Sequence, residues 1–276
     1  MTSSAFSGAC ALVTGASGGI GRALAVELAG RQARVALVGR RAEALEETRK
    51  LCLAAGAARA EAWTFDLGDL AAIEGLVGDV EQRIGAPLTL AIHAAGSVLL
   101  ARVDDYPLED ASALMTVNLL AGFALARSLV PRMRATGGTI GFISSGTAYR
   151  AVPFQWAYAA SKAGIERLAE ALRLELTGQA VQIRVVSPGP VDTAMNSSPP
   201  AIGGAPMLSS GKKAPSPEDI APAILAAFAG RRARVELNRR VTITRWLSAL
   251  GAEPLDSLLR RTFGSAMAAS ASARPR

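Results

Sequence analysis

The chain is predicted to fold as a doubly wound α/β domain: a mostly parallel, seven-stranded sheet with helices on both faces. Three observations predict it. Short, continuously apolar runs alternate with amphipathic stretches of helical period; a glycine-rich turn follows the first apolar run; and the connections are short, with no Pro/Ser-rich linker through the first two thirds of the chain. Half of the 276 residues are apolar, enough for one large core, and the low aromatic content of 5% suits close-packed helices on a sheet.

The elements follow in order. Ala9–Val13 is the first strand, and Ile20–Ala29 has helical periodicity. Arg34–Val38 is a second strand, followed by a charged helix from about Ala42 to Ala55. Ala60–Phe65 is a third strand, Leu70–Ile84 a helix and Leu88–His93 a fourth strand. A long helix, about Ala111 to Ala135, is stopped by Gly137-Gly138 and followed by a fifth strand, Thr139–Ile143. A helix from about Gln155 to Leu176 leads to the sixth strand, Val181–Val186. Residues 194–217 are rich in Pro and Gly and read as a mobile loop over a substrate site, with Ile202, Met207 and Leu208 as its apolar members. Ser216 is an N-cap and Pro217 a first-turn proline for a helix to Ala229. Arg234–Leu237 is the last strand, residues 241–263 a helical extension and residues 264–276 a disordered tail, so that 1–263 is one domain.

Bulk properties narrow the function. The net charge of +7 comes almost wholly from arginines scattered from Arg22 to Arg276, without the interleaved aromatics that stack bases. The reading is a solvated surface, with no nucleic-acid partner. Cys10 and Cys52 have no metal-ligand spacing and read as free buried thiols of a reducing compartment. The start has no signal-peptide pattern, and no apolar run approaches the ~18 residues that span a bilayer, so the expected location is the cytoplasm. The amphipathic Trp246–Phe263 segment suits packing better than a membrane surface.

Chemistry enters at three places. Thr14-Gly15-Ala16-Ser17-Gly18-Gly19-Ile20-Gly21 lies between the first strand and the first helix, where glycines let the backbone approach a pyrophosphate and the helix N-terminus offers unpaired N–H groups. At the end of the second strand, where an Asp or Glu would bind the ribose 2′-hydroxyl of NAD, the chain has Gly39-Arg40-Arg41. Guanidinium groups suit a 2′-phosphate, which favours NADP over NAD. Finally, Tyr158 and Lys162 stand four apart, one turn apart on a single helix face. An ammonium about 4 Å from a phenol, at an effective dielectric near 20, is worth roughly 4 kcal/mol, or about three pKa units before desolvation subtracts. Lys162 is therefore expected to bring the Tyr158 phenol, ordinarily near pH 10, close to working pH.

Together these motifs resemble the short-chain dehydrogenase/reductase family, in its short one-domain branch, from Ala9 to about Ile224. The family's Thr-Gly-x-x-x-Gly-x-Gly turn is Thr14 to Gly21, and its Tyr-x-x-x-Lys is Tyr158 to Lys162. Its serine, thirteen residues before the tyrosine, falls on Ser145, its helix asparagine on Asn118, and its Pro-Gly turn on Pro188-Gly189, with Val191 and Thr193 after it. The resemblance implies a Rossmann-type fold and the catalytic residues Asn118, Ser145, Tyr158 and Lys162. It implies a cofactor site of Gly15, Ser17, Gly19, Ile20, Gly21, Arg40, Arg41, Asp66, Leu67, Ala95, Gly96, Pro188, Gly189, Val191 and Thr193, together with Tyr158 and Lys162. Tyr158 would donate the proton, Ser145 would hold the carbonyl oxygen, Lys162 would also bind the nicotinamide ribose, and Asn118 would hold a proton-supplying water. The family commonly pairs through its two long helices, which implies a homodimer or homotetramer. One motif departs: where the family has Asn-Asn-Ala-Gly after the fourth strand, this chain has His93-Ala94-Ala95-Gly96, and His93, the only histidine, reads as structural.

The expected activity is therefore an NADP-dependent interconversion of a carbonyl and a secondary alcohol, working as a reductase. Val98, Leu99, Leu100, Val152, Phe154, Trp156 and Met195 point to a largely apolar substrate. The alternative is a non-catalytic NADP-binding sensor or scaffold on the same fold, which should have lost one of Ser145, Tyr158 and Lys162; all three are present. Epimerases and dehydratases on related folds are longer and space their glycines differently.

Overall fold

The computed structural model describes residues 5–203, 205 and 214–250. Seven strands, β1 (Cys10–Thr14), β2 (Arg34–Gly39), β3 (Arg59–Thr64), β4 (Leu90–His93), β5 (Gly138–Ile143), β6 (Val181–Ser187) and β7 (Arg234–Glu236), form one sheet in the order β3-β2-β1-β4-β5-β6-β7. Every neighbouring pair is parallel, so the sheet is wholly rather than mostly parallel. Strands buried on both faces explain the continuous apolar runs: along β1, Cys10 and Leu12 enter one core, and Ala11 and Val13 enter the other.

On one face lie α3 (Ile73–Ile84), α5 (Ala121–Thr136) and α6 (Trp156–Glu175), around Leu12, Val77, Leu125, Phe142 and Ile165. On the other lie α1 (Gly19–Ala29), α2 (Ala42–Ala54) and α8 (Pro217–Ala229), around Val13, Leu24, Leu37, Ile224 and Phe228. Each fully buried Leu, Ile or Phe contributes roughly 1.5–3 kcal/mol, before the entropy of ordering the chain is set against it. The α8 start has the expected form: Ser216 Oγ accepts from Asp219 N at 3.1 Å, and the Asp219 side chain accepts from Ser216 N at 3.2 Å.

Four expectations are revised. The long helix is one continuous stretch, Leu108–Thr136, made of α4 (Leu108–Met115), a π-helical segment (Thr116–Leu120) and α5. It is long and apolar enough, by length and composition, to cross a membrane, against the expectation that no such stretch exists. Half of its most apolar window is nevertheless buried within the fold, where Ala121, Leu125, Leu129 and Met133 face the sheet at i, i+4 spacing, so its apolarity is that of a core helix. The expected mobile loop is partly built. Thr193 starts the short helix α7 (Ala194–Ser197), Leu100 bridges Ala201, Leu100 N donates to Pro200 O at 2.9 Å, and Ile202 N donates to Leu100 O at 2.8 Å. Backbone hydrogen bonds to the loop after β4 thus anchor its first half; Gly204 and residues 206–213, Met207 and Leu208 among them, lie outside the described residues. The helical extension starts earlier than expected, as α9 (Arg239–Leu250), with Val241 buried but Ile243, Trp246 and Leu247 exposed. The remainder of that extension and the tail, 251–276, lie outside the described residues.

The sheet reverses its direction of winding between β1 and β4, and the loops after strands β1 to β6 open on this one edge. The chain is tightest there. Gly15 has φ +69°, and a Cβ on it would lie 2.8 Å from Ala95 Cα, while a Cβ on Gly21 would run into the Gly15 carbonyl. At Gly18 a Cβ would meet only the end of the flexible Arg41 side chain, at 3.2 Å. Gly21→Ala should therefore destabilise the fold by about 1–3 kcal/mol and Gly18→Ala by far less, measured as urea midpoints. Equal midpoints for the two variants would refute this account of the turn.

Candidate active site

Two groups of residues converge on the edge where the sheet reverses. The first surrounds the turn after β1. Gly18 is the N-cap of α1 and offers no side chain to the first N–H groups, and no acid stands in the first turn, so the positive helix end is left open. Beside it an open cleft of about 600 Å³ is lined by Ser17, Gly18, Arg22, Arg41, Glu43 and Glu47. Arg41 donates to Ser17 O at 2.8 Å, and Arg40 is exposed next to it. Arg22 was not singled out in the sequence: its guanidinium reaches Thr48 Oγ1 at 3.0 Å, Ser17 O at 3.3 Å and Glu47 Oε2 at 3.2 Å, which places a second arginine in the cleft. Its only sequence signal is its place directly after Gly21.

The other dinucleotide candidates line the same edge. Asp66 is exposed with its Oδ1 accepting from Gly68 N at 2.9 Å, and Leu67 is buried. Ala95 N donates to Thr14 Oγ1 at 3.1 Å, tying the loop after β4 to the end of β1. Ile20 is part-buried in the first turn of α1, and Thr193 packs its methyl over Gly19. Val191 is buried; Gly189 has φ +82°, and a Cβ on it would strike Asn238 at 2.6 Å, so Pro188-Gly189 requires glycine twice over. The residues present fit a dinucleotide: a turn too tight for side chains, an uncapped helix start and two guanidinium groups in the flanking cleft.

The second group surrounds Lys162, which is 5% exposed. Its ammonium donates to Ile143 O, the last carbonyl of β5, at 3.0 Å, and faces Gly96, where a Cβ would stand 3.6 Å from Nζ. Burial lowers its pKa from 10.5 to about 8. Asn118, fully buried in the π-helical segment, donates through Nδ2 to Ser97 O at 2.9 Å and Ser161 Oγ at 3.0 Å, and accepts Ser97 N at 2.8 Å. The wider π turn breaks the helical register at this asparagine.

Ser145 precedes a short 3₁₀ turn, Gly146–Ala148, at the end of β5. Its Oγ accepts from Thr147 Oγ1 at 3.1 Å, and the serine stands near enough to the Tyr158 phenol to lower its pKa. Three hydroxyls, of Thr147, Ser145 and Tyr158, are thus grouped together, and Thr147 is a second residue the sequence did not single out. The expected tuning of Tyr158 by Lys162 is not what the geometry gives. Burial pushes the phenol above its ordinary value and the Ser145 bond pulls it down. The ammonium sits 5.7 Å from the ring centroid and donates to Ile143 O, and it is not among the influences that set the direction of the phenol's pKa. His93 is buried beside Thr14, with its Nδ1 3.2 Å from Thr14 Oγ1; burial first, and the Lys162 charge second, lower its pKa to about 4, so it is neutral at physiological pH.

Apolar residues wall the phenol. Val98, Leu100, Ala205, Phe154 and Met195 cluster at Tyr158, and Leu99 and Ile202 pack with Ala101, Tyr106 and Leu114 alongside. Phe154 holds φ +67°, a strained conformation for a bulky residue, while its carbonyl accepts Ala101 N at 3.1 Å. Trp156 stands apart, packed against Tyr106 at a tilt of 59° with centroids 4.8 Å apart, and lines a second open cleft of about 420 Å³.

A proton-bearing phenol with a hydroxyl partner and a buried ammonium, next to a dinucleotide cradle, is a carbonyl–alcohol redox site in chemical form. The family described as short chain dehydrogenase matches residues 9–201. The chain belongs to that family. It is 32% identical over 255 residues to a ketoacyl reductase, HetN, of Nostoc sp., covering 88% of this chain and 84% of that protein. It is 33% identical to dehydrogenase/reductase SDR family member 7B of Bos taurus, covering 83% of this chain and 73% of that protein. Its fold matches a metagenomic short-chain oxidoreductase solved in complex with NADP, at TM-score 0.69 and 31% identity, covering 83% of this chain and 96% of that one. This short-chain dehydrogenase is thus an NAD(P)-dependent oxidoreductase of CH–OH groups acting on small molecules.

The buried ammonium gives a stability prediction with a definite sign. Below about pH 8 Lys162 is charged in both the folded and unfolded states, and the full desolvation cost weighs on the fold. Between about 8 and 10.5 the folded lysine is neutral while the unfolded one stays charged, and the cost fades. Lys162→Met removes roughly 3 kcal/mol of cost and loses about 1 kcal/mol of hydrogen bond. It should raise Tm by a few °C at pH 7, with the gap to the parent protein closing towards pH 10. A lower Tm at pH 7 would show that the ammonium stabilises the fold.

Proposed function

We propose that this short-chain dehydrogenase is an NADP-dependent reductase that converts a largely apolar ketone to a secondary alcohol. The observation that carries the reading is the group formed by the Tyr158 phenol, the Thr147–Ser145 hydroxyl pair and the buried Lys162 ammonium, beside an apolar wall. Bound NADPH supplies the hydride. The fully protonated Tyr158 phenol, raised by burial, gives its proton to the carbonyl oxygen. Ser145 donates to the same oxygen as negative charge develops there, with Thr147 keeping the serine oriented. Lys162 binds the ribose hydroxyls, and Asn118 holds the helix that closes over it and positions the water through which protons return.

Arg40, Arg41 and Arg22 meet the 2′-phosphate, and Gly15, Ser17, Gly19, Ile20 and Gly21 the pyrophosphate. Asp66 and Leu67 flank the adenine; Ala95 and Gly96 leave room for the riboses; Pro188, Gly189, Val191 and Thr193 hold the nicotinamide end. Val98, Leu100, Phe154 and Met195 favour aliphatic, acyl-chain-like, steroid-like or aromatic ketones. The protein works in the cytoplasm as a dimer or tetramer paired through the long helices, whose exposed Leu108, Leu120, Phe123 and Leu174 support that pairing.

The test is NADPH oxidation across aldehydes, small ketones, steroids and 3-oxoacyl thioesters. Tyr158→Phe should cut turnover at least a hundredfold, while NADPH binding, followed by its fluorescence, persists. Unchanged turnover would end the mechanism. Arg40→Ala and Arg41→Ala should each weaken NADPH roughly ten- to a hundredfold and leave NADH nearly unaffected. Equal losses for both cofactors would remove the NADP assignment.

A further inference from the structure

A second tyrosine sits in a buried charge network behind the site. Tyr149 lies four residues beyond Ser145. Its hydroxyl is 3.0 Å from Glu166 Oε1, 3.3 Å from Glu236 Oε1 and 3.4 Å from Ser187 Oγ. Each carboxylate has its own arginine: Arg234 Nε is 2.7 Å from Glu166 Oε2, and Arg245 Nε 2.9 Å from Glu236 Oε1. The two carboxylates are almost fully buried, with side-chain exposures of 2% for Glu166 and 8% for Glu236.

Each member belongs to an element that carries a site residue or covers one. Tyr149 closes the turn that begins at Ser145. Glu166 stands one helical turn beyond Lys162 on α6. Ser187 ends β6 immediately before Pro188-Gly189. Glu236 ends β7, and Arg245 lies on α9, whose Val241 packs on Gly146 while the preceding Asn238 packs on Gly189. Arg234, Glu236 and Arg245 all lie beyond residue 201, where the match to the family ends.

We propose that Tyr149 is a positioning residue that holds the Ser145 turn, α6 and the Pro188-Gly189 turn in register through this network. The proposal rests on the reductase reading for its consequence in turnover. The Tyr149 phenol has one proton for two facing carboxylates, while Ser187 can donate to its oxygen. Burial and the two carboxylates push its pKa well up, so it stays a donor throughout the working range. Removing the hydroxyl leaves Glu166 and Glu236 without their shared donor. The Ser145 turn and the Pro-Gly turn then loosen, while the turn after β1, on the far side of the reversal point, is unaffected.

Amide hydrogen exchange of the intact protein tests this without recourse to a substrate. In Tyr149→Phe, exchange across residues 144–150 and 187–193 should quicken about tenfold, with residues 15–29 unchanged. With a substrate from the screen, kcat should fall about tenfold while KM for NADPH holds, and Arg59→Gln, on the far edge strand and outside the network, should match the parent in both measurements. Glu236→Gln, which keeps shape but removes a charge, carries the same expectations if Tyr149→Phe does not fold. Exchange that is unchanged or quickened evenly over the chain overturns the proposal, as does an unaltered kcat or a failure of both variants to fold. A parent protein inactive on every substrate would instead count against the reductase reading and leave the exchange result standing.

Discussion

The burial of one ammonium constrains the rest of this site. Lys162 is taken out of water and given a single main-chain acceptor, Ile143 O, at the end of the fifth strand. For that bond to form, α6 must bring Lys162 within reach of the end of β5. Gly96 must be bare, since a Cβ there would press on Asn118 Oδ1 at 3.2 Å and stand close to Nζ. Asn118 must turn inward, and the π-helical segment interrupts the long helix at that asparagine. A charge that destabilises the fold is retained where its chemistry is wanted, the usual relation between a site and its scaffold.

The two ends of the proposed cofactor groove solve opposite electrostatic problems. At the adenosine end the charges are exposed and mixed: Arg22 and Arg41 share the cleft with Glu43 and Glu47, and Arg22 is paired with Glu47 at 3.2 Å. An arriving 2′-phosphate would compete with Glu47 for Arg22 in solvent-screened surroundings, where such pairs are worth little. At the other end Lys162 and Asn118 are buried and hydrogen-bonded. Both sides of the Asn118 amide are bonded, and Ser161 Oγ donates to the main-chain Tyr158 O at 2.7 Å. Binding can be adjusted at the first end without disturbing geometry at the second.

Much of this was legible in the sequence, because the signals were local. Parallel strands announce themselves as continuous apolar runs, the glycine turn by composition, and Tyr158 and Lys162 by a spacing of four. What was not legible depends on distant neighbours. The π-helical segment has the same composition as the α-helix around it. Arg22 and Thr147 are ordinary residue types that gain meaning only from Ser17, Glu47 and Ser145 across space. The anchoring of residues 200–202 is a main-chain pairing with Leu100, and main-chain pairing leaves no trace in side chains. The direction of the Tyr158 pKa was not legible, because spacing gives proximity on a helix face, whereas the burial that raises the phenol comes from residues distant in sequence.

The placement of Glu166 explains why the lysine can stay unpaired. Lys162 and Glu166 stand at i and i+4, the spacing at which a lysine and a glutamate ordinarily attract. Such a pair would raise the lysine's pKa and occupy its ammonium. Both carboxylate oxygens are already committed, Oε1 to the Tyr149 hydroxyl and Oε2 to Arg234 Nε. The Glu166 charge is met by Arg234, and burial lowers the pKa of Lys162. The network behind the site therefore does more than fasten turns together: by engaging the one acid within a helical turn of the lysine, it keeps that ammonium available to the groove in front.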